Sequence, residues 1–155
     1  MVDEWREEAR ADEAAAAAAR LRARSLAEAV GEAMAAGDVV TVRCGSHSWT
    51  GRVVGLGGDH AVLLTATDRV VVNLAGPVLL GRRAATTGGN AGDRSHRSLR
   101  ARLATIELVG DRVEVVTPHG SAAGTIVAAR DHLVVTDAES EHLVPIAEIG
   151  VVVGG

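Results

Sequence analysis

The chain has 155 residues, of which 47% are hydrophobic and 23% charged, with a formal net charge of −4, two Trp, no Tyr and no Phe. That length holds one domain or two very small ones. With no run of about 18 apolar residues, no basic-then-apolar start in Met1–Arg10 and one cysteine, Cys44, the sequence argues against a membrane span, a secretion signal, an internal disulfide and a cysteine zinc cluster, and a cytoplasmic protein is expected.

Residues 3–24 read as a helix. Asp3 stands at its start, Glu4, Glu7 and Glu8 fill the first turns, and Arg20, Arg22 and Arg24 fill the last, an order that complements the helix dipole. The run Ala14–Ala19 favours the helix but buries little, so this element either packs along the rest of the chain or pairs with another copy. A second helix begins at the capping box Ser25-Leu26-Ala27-Glu28 and ends at Gly37, with Leu26, Val30, Ala33 and Met34 on one face.

After Gly37 the apolar period becomes two. Val40 and Val42 open a series of short Val-rich runs at 49–54, 61–65, 69–74 and 77–80, separated by turn residues, which predicts five strands in a small closed sheet. The pattern then returns at a constant offset. Ser25-Leu26 recurs as Ser98-Leu99, Gly37-Asp38 as Gly110-Asp111, Val40 and Val42 as Val113 and Val115, and Gly51 as Gly124. Beyond a one-residue deletion the offset shortens accordingly, pairing Asp59-His60 with Asp131-His132 and Val70–Leu74 with His142–Ile146. One offset held through caps, turns and strands predicts an internal duplication. The expected organisation is an N-terminal helix (3–24), a helix plus first barrel (25–81), a flexible linker (82–97) rich in Gly and Thr, and a helix plus second barrel (98–155). The fold class is mainly β with α: N-terminal helices and two five-stranded Sm/SH3-like small barrels in tandem. Val40, Val42, Val113 and Val115 are the expected core, and Gly51 and Gly124 are expected where the second strand of each copy bends.

A helix leading into a five-stranded, Val-rich barrel with a glycine in its second strand resembles the Sm-like fold, which includes a bacterial RNA chaperone. The start Trp5-Arg-Glu-Glu-Ala-Arg10 also resembles a helix-plus-barrel family of high-G+C Gram-positive bacteria, some of whose members are labelled DNA-binding regulators. The resemblance implies an RNA-base pocket with an Asn three residues beyond an Asp. Here Leu63 lies near that position in the first copy and Val134 occupies it in the second, and neither side chain hydrogen-bonds a base.

Charge is unevenly spread. Residues 1–36 carry five Arg against eight acids and residues 103–155 carry two against eight, whereas 82–102 carry Arg82, Arg83, Arg94, Arg97, Arg100 and Arg102 against Asp93 alone. These six Arg, with Trp49 as the one aromatic in either barrel, are the candidate contacts for nucleic acid or a protein partner. The competing expectation is that the Arg are solvated beside the acidic second barrel and that Trp49 closes an end of the first. Asp59-His60 and Asp131-His132 read as turns before a strand, and Cys44 as a structural thiol. No catalytic constellation, metal cluster or cofactor loop is legible, and no small-molecule substrate is expected. The function that follows is a non-enzymatic interaction or scaffold module with regulatory potential, its partners being a protein or a second copy. The alternative is RNA or DNA binding through the barrels and the Arg-rich linker.

Overall fold

The computed structural model describes residues 2–85, 89, 92–95 and 97–154. Helix α1 (Val2–Ala23) has Asp3 and Glu4 in its first turn, Arg20 and Arg22 in its last, and no buried residue. It is held by helix propensity and end charges, without a packed face. Helix α2 (Leu26–Ala36) is capped as its sequence requires: Ser25 Oγ accepts the Glu28 N–H at 3.1 Å, and Gly37 closes the helix at φ 71°, a left-handed conformation that glycine adopts without strain. Helix α3 (Leu99–Val109) repeats both devices, with Ser98 Oγ accepting from the Ala101 N–H and Gly110 at φ 79°. Val30, Ala33 and Met34 of α2, and Leu99, Leu103 and Ile106 of α3, are the faces these helices bury.

The strands follow one another around the helices. β1 (Val39–Cys44), β2 (His47–Leu56), β3 (His60–Leu64), β4 (Arg69–Asn73) and β5 (Leu79–Arg83) belong to the first repeat, and the short β6 (Asp93–Arg94) precedes α3. β7 (Val113–Thr117), β8 (Gly120–Ala128), β9 (His132–Thr136), β10 (Glu141–Pro145), a single 3₁₀ turn (Ile146–Glu148) and β11 (Val151–Val153) complete the second. The described residues are thus mainly β with three α-helices. The strands form one sheet in the order β10-β9-β8-β7-β11-β4-β3-β2-β1-β5, antiparallel throughout, with β6 added in parallel to the end of β2. The fifth strand starts at Leu79, two residues later than the 77–80 expected, because Gly76 and Pro77 are spent in a turn and Pro77 has no N–H to give a ladder.

Gly51 and Gly124 do the same work in the two repeats. Val40 pairs with Gly51 and Arg52 with Leu64, so β2 passes from β1 to β3 at this glycine; Val113 pairs with Gly124 and Thr125 with Thr136, so β8 passes from β7 to β9. A Cβ on Gly51 would lie 2.1 Å from the Leu64 carbonyl oxygen and one on Gly124 2.2 Å from that of Thr136. Glycine is needed there for close approach of the neighbouring backbone.

Val40, Val42, Val113 and Val115 are all buried, as alternation requires. They anchor two apolar clusters, but the clusters trade residues across the middle of the sheet. β11, the last strand of the second repeat, pairs with its own β7 and also with β4 of the first, in the register Val151–Val72, Val152–Val71 and Val153–Val70. Val116 and Val151 therefore pack in the first cluster and Val71 in the second. The apolar C-terminal strand is covered on both edges within one chain, and α1, with no buried residue, takes no part in covering it.

The stretch expected as a linker, 82–97, is shorter at both ends than the sequence suggests. Arg82 and Arg83 lie in β5, Asp93 and Arg94 form β6, and the Ser95 N–H donates to the Leu56 carbonyl at 2.9 Å. Backbone pairing with the first repeat claims these residues, a signal that local composition does not carry. Residues 86–88, 90, 91 and 96 of that stretch lie outside the described residues.

Candidate interaction surface

The six Arg singled out between 82 and 102 differ in their partners. Arg82 reaches back to α2 and the residue just before β1, pairing through Nε with the buried Asp38 carboxylate and through a terminal nitrogen with Glu32 at 3.5 Å. Arg94 donates to the Gly31 carbonyl at 3.4 Å, and Arg97 to Thr105 Oγ1 at 3.3 Å. Arg100 donates to the carbonyls of Ala129 and Arg130, tying α3 to the turn before β9. Arg102 donates through Nε to His60 Nε2 at 2.9 Å, and burial, with Arg97 nearby, lowers its pKa from the usual arginine value. Arg83 is exposed on β5. Of the six, Arg82 alone pairs with carboxylates; the others that have partners bond neutral groups and keep their charge.

Trp49 packs at the margin of the first cluster, opposite Val42, and its ring lies nearly parallel to His47 at 6.1 Å between centroids and 19° between planes. It is a partly buried wall of the core. Cys44 is buried; its Sγ lies 3.9 Å from the Val116 carbonyl oxygen, and burial pushes the thiol pKa up. That places it against the second repeat, where a charged thiolate would be disfavoured.

The Asp-His turns behave differently from the simple strand-start reading. In both, the imidazole Nδ1 meets the preceding carboxylate, at 3.1 Å for His60 and Asp59 and 2.7 Å for His132 and Asp131. The Asp precedes the strand, so strand alternation does not part the two side chains. Asp59 Oδ1 also accepts the Leu99 N–H at 2.8 Å, at the start of α3. With Arg102 on the other imidazole nitrogen, Asp59-His60 is a fully bonded joint between the repeats. Asp131-His132 is the exposed counterpart, and the hydrogen bond from His132 holds the Asp131 carboxyl below the usual aspartate range. Among the described residues no group of three or more His, Cys, Asp or Glu could hold a metal ion. No helix in the described residues is long and apolar enough to cross a membrane.

Two accessible regions lie at the ends of the sheet. Among the described residues, β5 leaves one edge unpaired, beside a depression of about 490 Å³ lined by Thr41, Arg43, Leu79 and Arg83 among others. β10 leaves the other, flanked by a depression of about 450 Å³ that includes His142 and Leu143 and one of about 270 Å³ formed by Asp131, His132, Leu143 and Pro145. Leu79 and Leu143 stand exposed on these two strands. Sequence reasoning overlooked both. The signal available was the repeat itself, which aligns Leu143 with an apolar residue of β4 that the fold buries. No protein-family model matches the chain, and no curated protein matches it.

Proposed function

We propose that the chain is a non-enzymatic interaction or scaffold module made of two Sm-like small barrels fused side by side, and that it works through the two ends of its sheet. One observation carries this reading: β5 and β10 each end the sheet of described residues with an exposed leucine, Leu79 and Leu143, on a strand whose outer edge is unpaired. Unpaired backbone groups beside apolar side chains are a template for another polypeptide. The Arg-rich segment supports nucleic-acid binding less well, because Arg82 is paired with Asp38 and Glu32, and Arg94, Arg97, Arg100 and Arg102 each bond a different part of the chain.

Site-specific photocrosslinking in living cells tests the reading. A photoreactive residue replaces Leu79 or Leu143, and, as control, Leu108, which is exposed on α3 away from both edges. Protein adducts at 79 and 143 but not at 108 are expected. Nucleic-acid adducts in their place would transfer the function to the rival reading, and equal yields at all three positions would remove the edges as the working surface.

A further inference from the structure

We infer that the outer face of β1, β2 and β5 holds the phosphate group of a small phosphate monoester whose organic part is apolar. The inference goes beyond the docking of a polypeptide at the sheet ends and does not depend on it. Val40, Val42 and Leu80 turn toward the first cluster. Strand alternation therefore turns Val39, Thr41 and Arg43 of β1 outward, together with Thr50 of β2 and Leu79, Gly81 and Arg83 of β5. These residues surround the depression of about 490 Å³ at the β5 end of the sheet, and no acidic residue lines it.

Its floor is a row of three cross-strand neighbours, Thr50, Thr41 and Gly81. The two hydroxyls lie 3.0 Å apart. One donates to the other, which leaves the second hydroxyl proton for an oxyanion above the row. Gly81 has no conformational reason to be glycine: its φ is not positive, and a Cβ there would meet nothing within 4 Å. Glycine weakens a strand interior, and it marks places where a ligand comes close to the backbone. Arg43 and Arg83 stand on opposite sides of the row, two residues along, Arg43 opposite Leu79 and Arg83 opposite Val39. Two residues of strand span about 7 Å, within reach of an extended guanidinium. Both arginines are exposed, and among the described residues neither has a hydrogen-bond or ion-pair partner. A guanidinium binds phosphate through two parallel N–H bonds, and Val39 and Leu79 offer apolar surface beside it to the rest of the ligand.

The second repeat shows that the fold does not require this set. Its equivalent row, in the same register, is Ala123, Glu114 and Val153. Both hydroxyls are gone, a carboxylate stands in the middle, and a valine takes the place of the glycine. Val116, which is buried, stands where the first repeat has Arg43. The two faces share a backbone and differ in chemistry, so the anion-binding set belongs to these side chains and not to the barrel.

Isothermal titration calorimetry on the full chain at low ionic strength, with phenyl phosphate and inorganic phosphate as probes, tests this. Phenyl phosphate should bind one to one and more tightly than inorganic phosphate. Gly81→Val copies the second repeat without changing the charge, and should weaken phenyl phosphate binding by about tenfold or more, with Tm unchanged or raised because valine favours a strand. Arg43→Gln and Arg83→Gln should each weaken it severalfold, whereas Arg10→Gln, at an exposed position of α1, should not. Binding that survives Gly81→Val and falls equally with all three arginine substitutions is attraction to diffuse charge, and would overturn the site. Equal affinity for the two probes would overturn the monoester assignment. A single-stranded oligonucleotide that binds where millimolar phenyl phosphate gives no heat would overturn the inference in favour of nucleic acid.

Discussion

The two repeats share caps, strand order and glycine positions, yet they are finished differently, and the difference shows what a neighbour does for a small β unit. On the inner side the first repeat has a neighbour. Asp59, His60, Val71 and Asn73 are bonded or buried against α3, the 3₁₀ turn and β11. On the outer side of the second repeat their counterparts Asp131, His132, Leu143 and Pro145 line open depressions. The same local sequence pattern is core in one place and surface in the other because burial is a property of the neighbour, not of the strand.

The largest test of this comparison is a charge in either core. Val42→Asp and Val115→Asp each bury an unpaired carboxylate, which removes a large part of the about 5–15 kcal/mol that holds a domain together. Since Val71, Val116 and Val151 pack in the other repeat's cluster, each substitution should unfold both repeats together. Guanidinium melts followed by circular dichroism should show one transition in wild type and no residual folded half in either variant. A variant retaining half of the β signal would show the repeats to be independent.

Next in size are the matched glycines. Gly51→Ala and Gly124→Ala each drive a Cβ to within 2.2 Å of a neighbouring carbonyl oxygen or closer, which should cost about 1–3 kcal/mol at each site. Nearly equal losses in midpoint denaturant would confirm that the two repeats solve strand crossing in one way, and a loss at one site alone would separate them.

Smaller again is the inner seam against its outer counterpart. Asn73→Ala removes amide bonds to Ile146 and Ile149 and leaves the carbonyl of the buried Ile149 short of a donor, a loss of about 1–3 kcal/mol. Pro145→Ala, at the exposed counterpart, should change monomer stability by less than about 0.5 kcal/mol. Thermal melts at low concentration check both values.

The smallest effect separates two equivalent turns. Between β3 and β4, Thr65 Oγ1 accepts the N–H groups of Thr67 and Asp68; between β9 and β10, the Asp137 carboxylate accepts those of Glu139 and Ser140. One acceptor is neutral and the other ionised. The backbone N–H groups lower the Asp137 pKa from its ordinary value, so the stability it lends is fully present above the unfolded value of about 3.9 and is lost as pH falls through the lower folded value. Asp137→Asn should therefore lower Tm slightly at pH 6 and progressively less as pH falls below the unfolded value, whereas Thr65→Ala should lower it equally across that range. A pH-independent effect of Asp137→Asn would show that the carboxylate charge is idle.

The duplication, the capping serines, the left-handed glycines at 37 and 110, the alternating valines and the paired glycines at 51 and 124 were legible in the sequence. Each rests on a short-range rule: an orphan N–H wants an acceptor, a left-handed residue wants no Cβ, and a strand with one buried face alternates. The junction of the repeats was not legible. Nothing near Val151 states that β4 will take its second edge, and nothing near Arg82 states that Asp38 will claim its guanidinium. The same holds for the six Arg, whose clustering in sequence suggested a surface. Arg94, Arg100 and Arg102 find their partners at Gly31, Ala129 and His60, far along the chain, and Arg97 finds Thr105 two turns into the next helix. The chain's local pattern determined which residues are strand, cap and turn. Only the tertiary structure decided which of two equivalent edges is closed, because closing one takes partners brought together from opposite halves of the chain, and a repeated pattern reads the same at both ends.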